Sequence, residues 1–232
     1  MDDISVFLSP QSPSLKICGI TSASDAEKLA TKKVPALGIN FWPKSKRYCP
    51  PDNAITFLPS LKEKIIRVGV FVNNAQKLAP ELFEKDLLDI VQLHGDESDE
   101  EALLFLNQGI PVIRSLALSP DSSLSELCAH YQKLSQNTAA PLALLLDTHA
   151  PGLYGGTGQT IDWQQAATFI RQCSPLPVLL AGGIKPNNAK DAIEQTQPAG
   201  LDIASGAEIS PGIKDFKKVN ALLDATNSSL SK

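Results

Sequence analysis

Short apolar runs, each closed by small or polar residues, recur along the chain with helix-length stretches between them. The first is Leu15-Lys16-Ile17-Cys18, ended by Gly19 and followed by Thr21-Ser22-Ala23-Ser24-Asp25, a helix start with Ser22 or Ser24 as its cap. Residues 36–40 form the second run, before a polar loop through Tyr48 and an expected helix from about Pro51 to Lys62. Residues 65–72, rich in β-branched side chains and ended by Asn73-Asn74, make the best strand in the sequence. Further strands follow at 89–93, 110–114, 141–147, 177–181 and 200–204, with acidic or Asp-capped helix starts near Gly95 and Asp162 and a last helix over 214–223. The run 141–147 is almost wholly apolar, as a strand covered on both faces requires.

Eight strands separated by crossover-length helical segments predict a parallel sheet, and eight is the number that closes an α/β barrel. About 27 residues per unit suffice for a short strand, a three-turn helix and two loops. The chain's 232 residues fit one such barrel. An open doubly wound sheet is the alternative, but it usually carries a phosphate loop after its first strand, and here the glycines gather late. A single (β/α)8 TIM barrel over residues 14–232 is therefore expected. Residues 1–13, with two prolines and three serines, read as an N-terminal extension that either lies across the barrel floor or is mobile.

Composition narrows the function. A formal charge of −4 argues against a general binder of nucleic acid, although a local basic pocket can still hold one small anion. No uncharged apolar run reaches the ~18 residues of a membrane span, and the acidic opening Met1-Asp2-Asp3 is unlike a secretory leader, so a cytoplasmic protein is expected. Cys18, Cys49, Cys128 and Cys173 show no C-x-x-C pair and the histidines no i, i+4 spacing, which speaks against a structural metal site. In a reducing compartment all four thiols are expected to be free.

In a barrel of this kind the carboxyl ends of the strands line the active site. Those ends carry Cys18, Asn40, Asn73, Gln92 with His94, Arg114 and Asp147. Gly182-Gly183 after strand seven and Ser205-Gly206 after strand eight leave backbone N–H groups uncovered, and a short helix beginning near Glu208 is expected to aim its positive end at the same place. That combination suits a phosphate monoester, though two glycine turns also serve as tight strand exits. Gly152, Gly155, Gly156 and Gly158 form a second cluster, readable as a surface loop, a closing lid or a second phosphate grip.

The segments Lys16-Ile17-Cys18-Gly19-Ile20-Thr21, Gly69-Val70-Phe71-Val72-Asn73, Val91-Gln92-Leu93-His94-Gly95-Asp96-Glu97, Leu145-Leu146-Asp147-Thr148, Gly155-Gly156-Thr157-Gly158, Leu180-Ala181-Gly182-Gly183-Ile184 and Asp202-Ile203-Ala204-Ser205-Gly206-Ala207-Glu208 resemble the phosphoribosylanthranilate isomerase family. So do Pro43 to Tyr48 and Pro211 to Asp215, and the segments keep the family's order over nearly everything after residue 14.

The resemblance implies an Amadori rearrangement of an aminoaldose phosphate to a ketose in tryptophan biosynthesis, with one acid, one base and no cofactor. It implies Cys18 as general base, Asp147 as general acid, Arg47 on the anthranilate carboxylate, and phosphate or substrate contacts from Gly156, Gly182, Gly183, Ser205 and Gly206. His94 is implied at the substrate, where contact with the aromatic ring and a hydrogen bond to backbone stay open as readings. Asp147 has to be held protonated by burial or by the substrate's own negative charges. Trp42, Trp163 and Phe71 read as packing groups, and Lys44 and Lys46 as solvated. The sequence departs from the family pattern at Ser45-Lys46-Arg47, Asn40 and Ala207, none of which removes an acid, a base or a phosphate contact. A small-molecule substrate is the expected partner, and monomer and homodimer stay open. A different sugar-phosphate isomerase and a non-catalytic phosphate binder are the competing functions.

Overall fold

The computed structural model describes residues 3–9, 13–118, 123–136, 138–148 and 161–228. Eight parallel strands pair in chain order and the eighth returns to the first: β1 (Ser14–Cys18), β2 (Ala36–Asn40), β3 (Ile66–Phe71), β4 (Ile90–Leu93), β5 (Val112–Ala117), β6 (Leu142–Asp147), β7 (Val178–Leu180) and β8 (Gly200–Ile203). This is the expected closed barrel. Alternate residues face its interior. Lys16 stands opposite Asp202 where β1 meets β8, and Ala117 opposite Asp147 where β5 meets β6.

An N-terminal helix, α1 (Asp3–Phe7), precedes the barrel. The main crossover helices are α2 (Ala23–Thr31), α4 (Ala75–Glu84), α5 (Asp99–Asn107), α6 (Leu124–Leu134), α7 (Trp163–Cys173), α8 (Ala189–Thr196) and α9 (Phe216–Ser228). Their starts obey local chemistry. The Ser22 hydroxyl accepts from the Asp25 N–H, Ser98 and Glu101 form a reciprocal capping box, and Asp162 accepts from the N–H groups of Gln164 and Gln165. The helix expected over 51–62 is instead a single turn, α3 (Pro51–Ala54), followed by a 3-10 segment at Leu58–Leu61. Pro59 lacks the amide that a continuing helix needs.

Two buried clusters hold the fold. The larger fills the shell between strands and helices, with Ile17, Leu37, Phe71, Leu93, Leu144 and Phe169 fully enclosed. Within it Phe71 stacks on Phe41 at 5.4 Å and Trp163 packs on the shell, as expected of packing groups. The smaller cluster is the barrel's inside, with Ala36, Ile66, Val68, Ile90, Ile113, Ala143, Leu145 and Leu179, closed from below by Phe7 and Leu8. Of the two readings of the N-terminal segment, helix α1 follows the first and lies across the floor.

Two further expectations are corrected. Cys128 on α6 and Cys173 on α7 are joined in a disulfide, while Cys18 and Cys49 are free. The neighbouring helices bring two residues 45 positions apart to a Cα–Cα distance of 4.9 Å, a proximity their spacing in sequence does not reveal. The helix expected near Glu208 is a hairpin of β9 (Glu208–Ser210) and β10 (Ile213–Lys214), preceded by a 3-10 turn at Ser205–Ala207. Pro211-Gly212 makes the tight turn, with Gly212 at φ +83°.

Because Phe7 is 2% exposed and seals the interior cluster, Phe7→Ala is expected to lower unfolding stability by about 3 kcal/mol in urea titration. A loss under about 0.5 kcal/mol, the size of an ordinary surface change, would show that the floor contributes nothing.

Candidate active site

The carboxyl ends of the strands open into a cavity of about 320 Å³. Cys18, His94 and Asp147 reach it from strand ends, Arg47 from the loop after β2, and Gly182, Gly183, Ser205 and Gly206 from the two late turns. Gly156 and the rest of its glycine cluster lie outside the described residues. Asn73 and Arg114 are strand-end residues that do not line it. The Arg114 guanidinium donates to Glu97 at 3.3 Å and the Asn73 N–H to the same carboxylate at 2.6 Å, so both serve a buried carboxylate behind the wall. Trp42, Lys44 and Lys46, read from sequence as packing or solvated groups, stand on the cavity wall.

Cys18 ends β1 above a buried ion pair. Lys16, two residues earlier on the same inward face, donates to Asp202 at 2.8 Å and is itself fully buried. Its ammonium is near enough for its charge to favour the Cys18 thiolate. Gly38 gives them room, since a methyl group there would stand 2.8 Å from Cys18 Sγ and 3.0 Å from Lys16 Nζ. Burial pushes the thiol's pKa up, and although the charges of Lys16 and Lys214 pull it down, burial wins.

Arg47 is held by a residue 161 positions away in the sequence. Its Nε and Nη2 donate to the two oxygens of Glu208 at 2.8 and 2.7 Å, a bidentate fork that, among the described residues, leaves Nη1 and one Nη2 proton for a ligand. Glu208 Oε1 also accepts from Lys214 Nζ at 2.7 Å, and that ammonium donates to the Cys18 carbonyl at 2.5 Å. One carboxylate thus links the guanidinium to the backbone of Cys18. Burial raises its pKa, but the Arg47 hydrogen bonds and Lys214 outweigh burial and keep it ionised. Gly19 is required by the same arrangement. It sits at φ +78°, and a side chain there would meet Arg47 Cδ at 2.3 Å.

Asp147 ends β6, separated from β1 by β7 and β8 around one side of the ring and by β2 to β5 around the other. Its Oδ1 accepts from the Thr148 N–H at 2.7 Å, and its Oδ2 lies 3.5 Å from His94 Nε2. Burial alone would raise its pKa, but the His94 ring beside it, then the Thr148 hydrogen bonds, hold the carboxyl below the ordinary carboxylate range. Burial is one of the two causes expected to hold Asp147 protonated, the substrate's negative charges being the other. It acts in that direction, and these donors overcome it. His94 lines the cavity with its Nδ1 3.0 Å from Gln92 Nε2 and its Nε2 facing Asp147.

The two late turns form one part of the cavity wall. Gly182 and Gly183 both hold positive φ, at +79° and +65°. Gly206 lies so close to the Ile184 carbonyl that a Cβ would stand 1.9 Å from it, so the chains meet only with glycine there. Backbone N–H groups of such glycine turns, where they face a cavity, suit an oxyanion such as a phosphate. Glu208, Lys214, Lys16 and Asp202 hold Cys18 and Arg47 in place, and sequence reasoning assigned them no role. Their signal was weak, four charged residues embedded in otherwise apolar or glycine-rich strand ends.

Comparison with known proteins adds the family. The family model described as N-(5'-phosphoribosyl)anthranilate isomerase matches residues 15–225. The chain is 39% identical over 211 residues to the N-(5'-phosphoribosyl)anthranilate isomerase of Syntrophus aciditrophicus strain SB, covering 91% of this chain and 86% of that one. The crystal structure of phosphoribosyl anthranilate isomerase from Thermotoga maritima superposes with a TM-score of 0.78 at 30% identity, covering 93% of this chain and 99% of that one. A crystal structure of the isomerase in complex with reduced 1-(o-carboxyphenylamino)-1-deoxyribulose 5-phosphate gives 0.76 at 28% identity, with coverage of 93% and 99%. With sequence and barrel geometry both matched along nearly the whole chain, the protein belongs to the N-(5'-phosphoribosyl)anthranilate isomerase family.

Proposed function

We propose that the protein converts N-(5'-phosphoribosyl)anthranilate into 1-(o-carboxyphenylamino)-1-deoxyribulose 5-phosphate, the isomerisation step of tryptophan biosynthesis, with Cys18 as general base and Asp147 as general acid. One observation carries the reading: a thiol and a carboxyl from strands apart in the barrel line one cavity that also holds two glycine turns and a guanidinium. The turns at 182–183 and 205–206 take the phosphate, and the free Nη protons of Arg47 take the anthranilate carboxylate.

Between those anchors the reaction needs two proton transfers. Asp147 gives its proton to the furanose ring oxygen. The C1–O bond breaks with its electron pair going to that oxygen, while the anthranilate nitrogen's lone pair forms the C=N bond of an iminium ion. Cys18 as thiolate then removes the C2 proton. The C–H electrons become a C1=C2 bond and the C=N pair returns to nitrogen, giving an enolamine. Tautomerisation to the ketone adds a proton at C1 and removes the one on the C2 hydroxyl.

The free protein holds the two groups in the opposite states, thiol and carboxylate. The productive pair carries the same number of protons, so reaching it means moving one from Cys18 to Asp147. A bound phosphate and carboxylate add negative charge to the pocket and favour protonation of Asp147, while the charge of Lys16 supports the thiolate.

Purified protein is expected to abolish the fluorescence of freshly formed phosphoribosylanthranilate, and a decay no faster than spontaneous breakdown would contradict the assignment. Cys18→Ala and Asp147→Asn should each lower kcat by at least about 100-fold, the lower end of general acid–base contributions, while still binding the reduced product analogue in calorimetry. Arg47→Ala should chiefly raise KM, and an unchanged KM would remove the carboxylate assignment. The profile of kcat/KM against pH is expected to be a broad plateau. Its acid limb belongs to Asp147 and lies below the ordinary carboxylate range, and its alkaline limb belongs to Cys18 and lies above the ordinary thiol range. His94→Asn should shift the acid limb to higher pH, because it removes the main interaction opposing burial of Asp147.

A further inference from the structure

Gln92 lies inside the barrel at the carboxyl end of β4, is 1% exposed and stands on the cavity wall. Its two amide ends face different things. Nε2 is 3.0 Å from His94 Nδ1, whereas Oε1 is buried with no hydrogen-bond partner among the described residues. An amide nitrogen only donates, so Nδ1 must offer its lone pair. The ring proton of neutral His94 then sits on Nε2, the atom 3.5 Å from Asp147 Oδ2. A lone pair at Nε2 would face the carboxylate's oxygen and repel it.

We infer that Gln92 is a positioning residue for the acid step, fixing His94 as the neutral Nε2–H tautomer that supports the Asp147 carboxylate, while its unpartnered Oε1 accepts an O–H or N–H of the bound substrate. The inference rests on the proposed role of Asp147. When Asp147 has given up its proton, the Nε2–H is the donor that stabilises the resulting carboxylate, and a neutral imidazole cannot compete as the acid. An unsatisfied buried carbonyl is costly, and the cost is removed when a ligand donor occupies the cavity. Oε1 thereby selects for a substrate that carries a hydroxyl or amine proton at that point of the wall.

Long-range proton–nitrogen NMR of ¹⁵N-histidine-labelled protein tests this, with the His94 signals assigned by their loss in His94→Asn. The expected spectrum at neutral pH shows His94 protonated at Nε2 and bare at Nδ1. In Gln92→Glu a carboxylate faces Nδ1 and accepts a proton there, so His94 should become doubly protonated. Gln92→Leu should leave a mixture of tautomers and lower kcat by about tenfold or more, a part of what acid catalysis contributes. A wild-type His94 protonated at Nδ1, or a Gln92→Glu spectrum identical to wild type, would overturn the inference. The spectra need no turnover, so they stand apart from Asp147→Asn kinetics: an active Asp147→Asn enzyme would remove the acid assignment whatever the tautomer.

Discussion

The buried ion pair between Lys16 and Asp202 is the constraint on which the site depends. An ammonium with no exposed surface is tolerable only with a carboxylate beside it, and the partner arrives from 186 residues away when β8 closes on β1. Side chains alternate along a strand, so a slip of β8 by one residue would turn Asp202 out of the barrel and leave Lys16 buried and unpaired. The register Lys16 to Asp202 is therefore strongly specified. Cys18 follows Lys16 by two residues on the same face, so the pair also sets the height and direction of the thiol. Closure of the barrel and placement of the proposed base are one event.

A second layer of charge reaches the same atoms from outside the barrel. Glu208 holds Arg47 by a fork and Lys214 by a single bond, and Lys214 grips the carbonyl of Cys18. The proposed carboxylate anchor and the proposed base are thus mechanically joined through one side chain, on a hairpin that continues directly from the Ser205-Gly206 turn. Across the cavity the control is different. Asp147 is set by hydrogen-bond donors, with His94 the foremost, and Cys18 by burial. In the proposed reaction both groups start from the opposite protonation states, the thiol by burial and the carboxylate by its donors.

The barrel was legible because its strands are apolar, short and evenly spaced, and strand ends such as Cys18, His94 and Asp147 could be read as rim residues from that spacing alone. Lys16 and Asp202 were hidden in plain sight. A lysine within an apolar run looks like an alternating exposed position, and only closure of β1 on β8 shows both to be interior. Glu208 escaped for a similar reason: it joins nearby Lys214 to Arg47, 161 residues away, and local pattern suggested a helix where Pro211-Gly212 makes a hairpin. The disulfide of Cys128 and Cys173 and the seating of Phe7 on the floor depend on which helices and strand ends become neighbours, which periodicity does not encode.

The central claim is geometric: thiol and carboxyl act on opposite sides of one anchored sugar. A crystal structure of this protein with reduced 1-(o-carboxyphenylamino)-1-deoxyribulose 5-phosphate tests it most directly. The expected result has the phosphate in the turns at 182–183 and 205–206, C2 within about 3.5 Å of Cys18 Sγ, and the Asp147 carboxyl on the far face beside the oxygen of the former ring. An analogue whose C2 lies away from Cys18, or whose phosphate binds elsewhere, would contradict it.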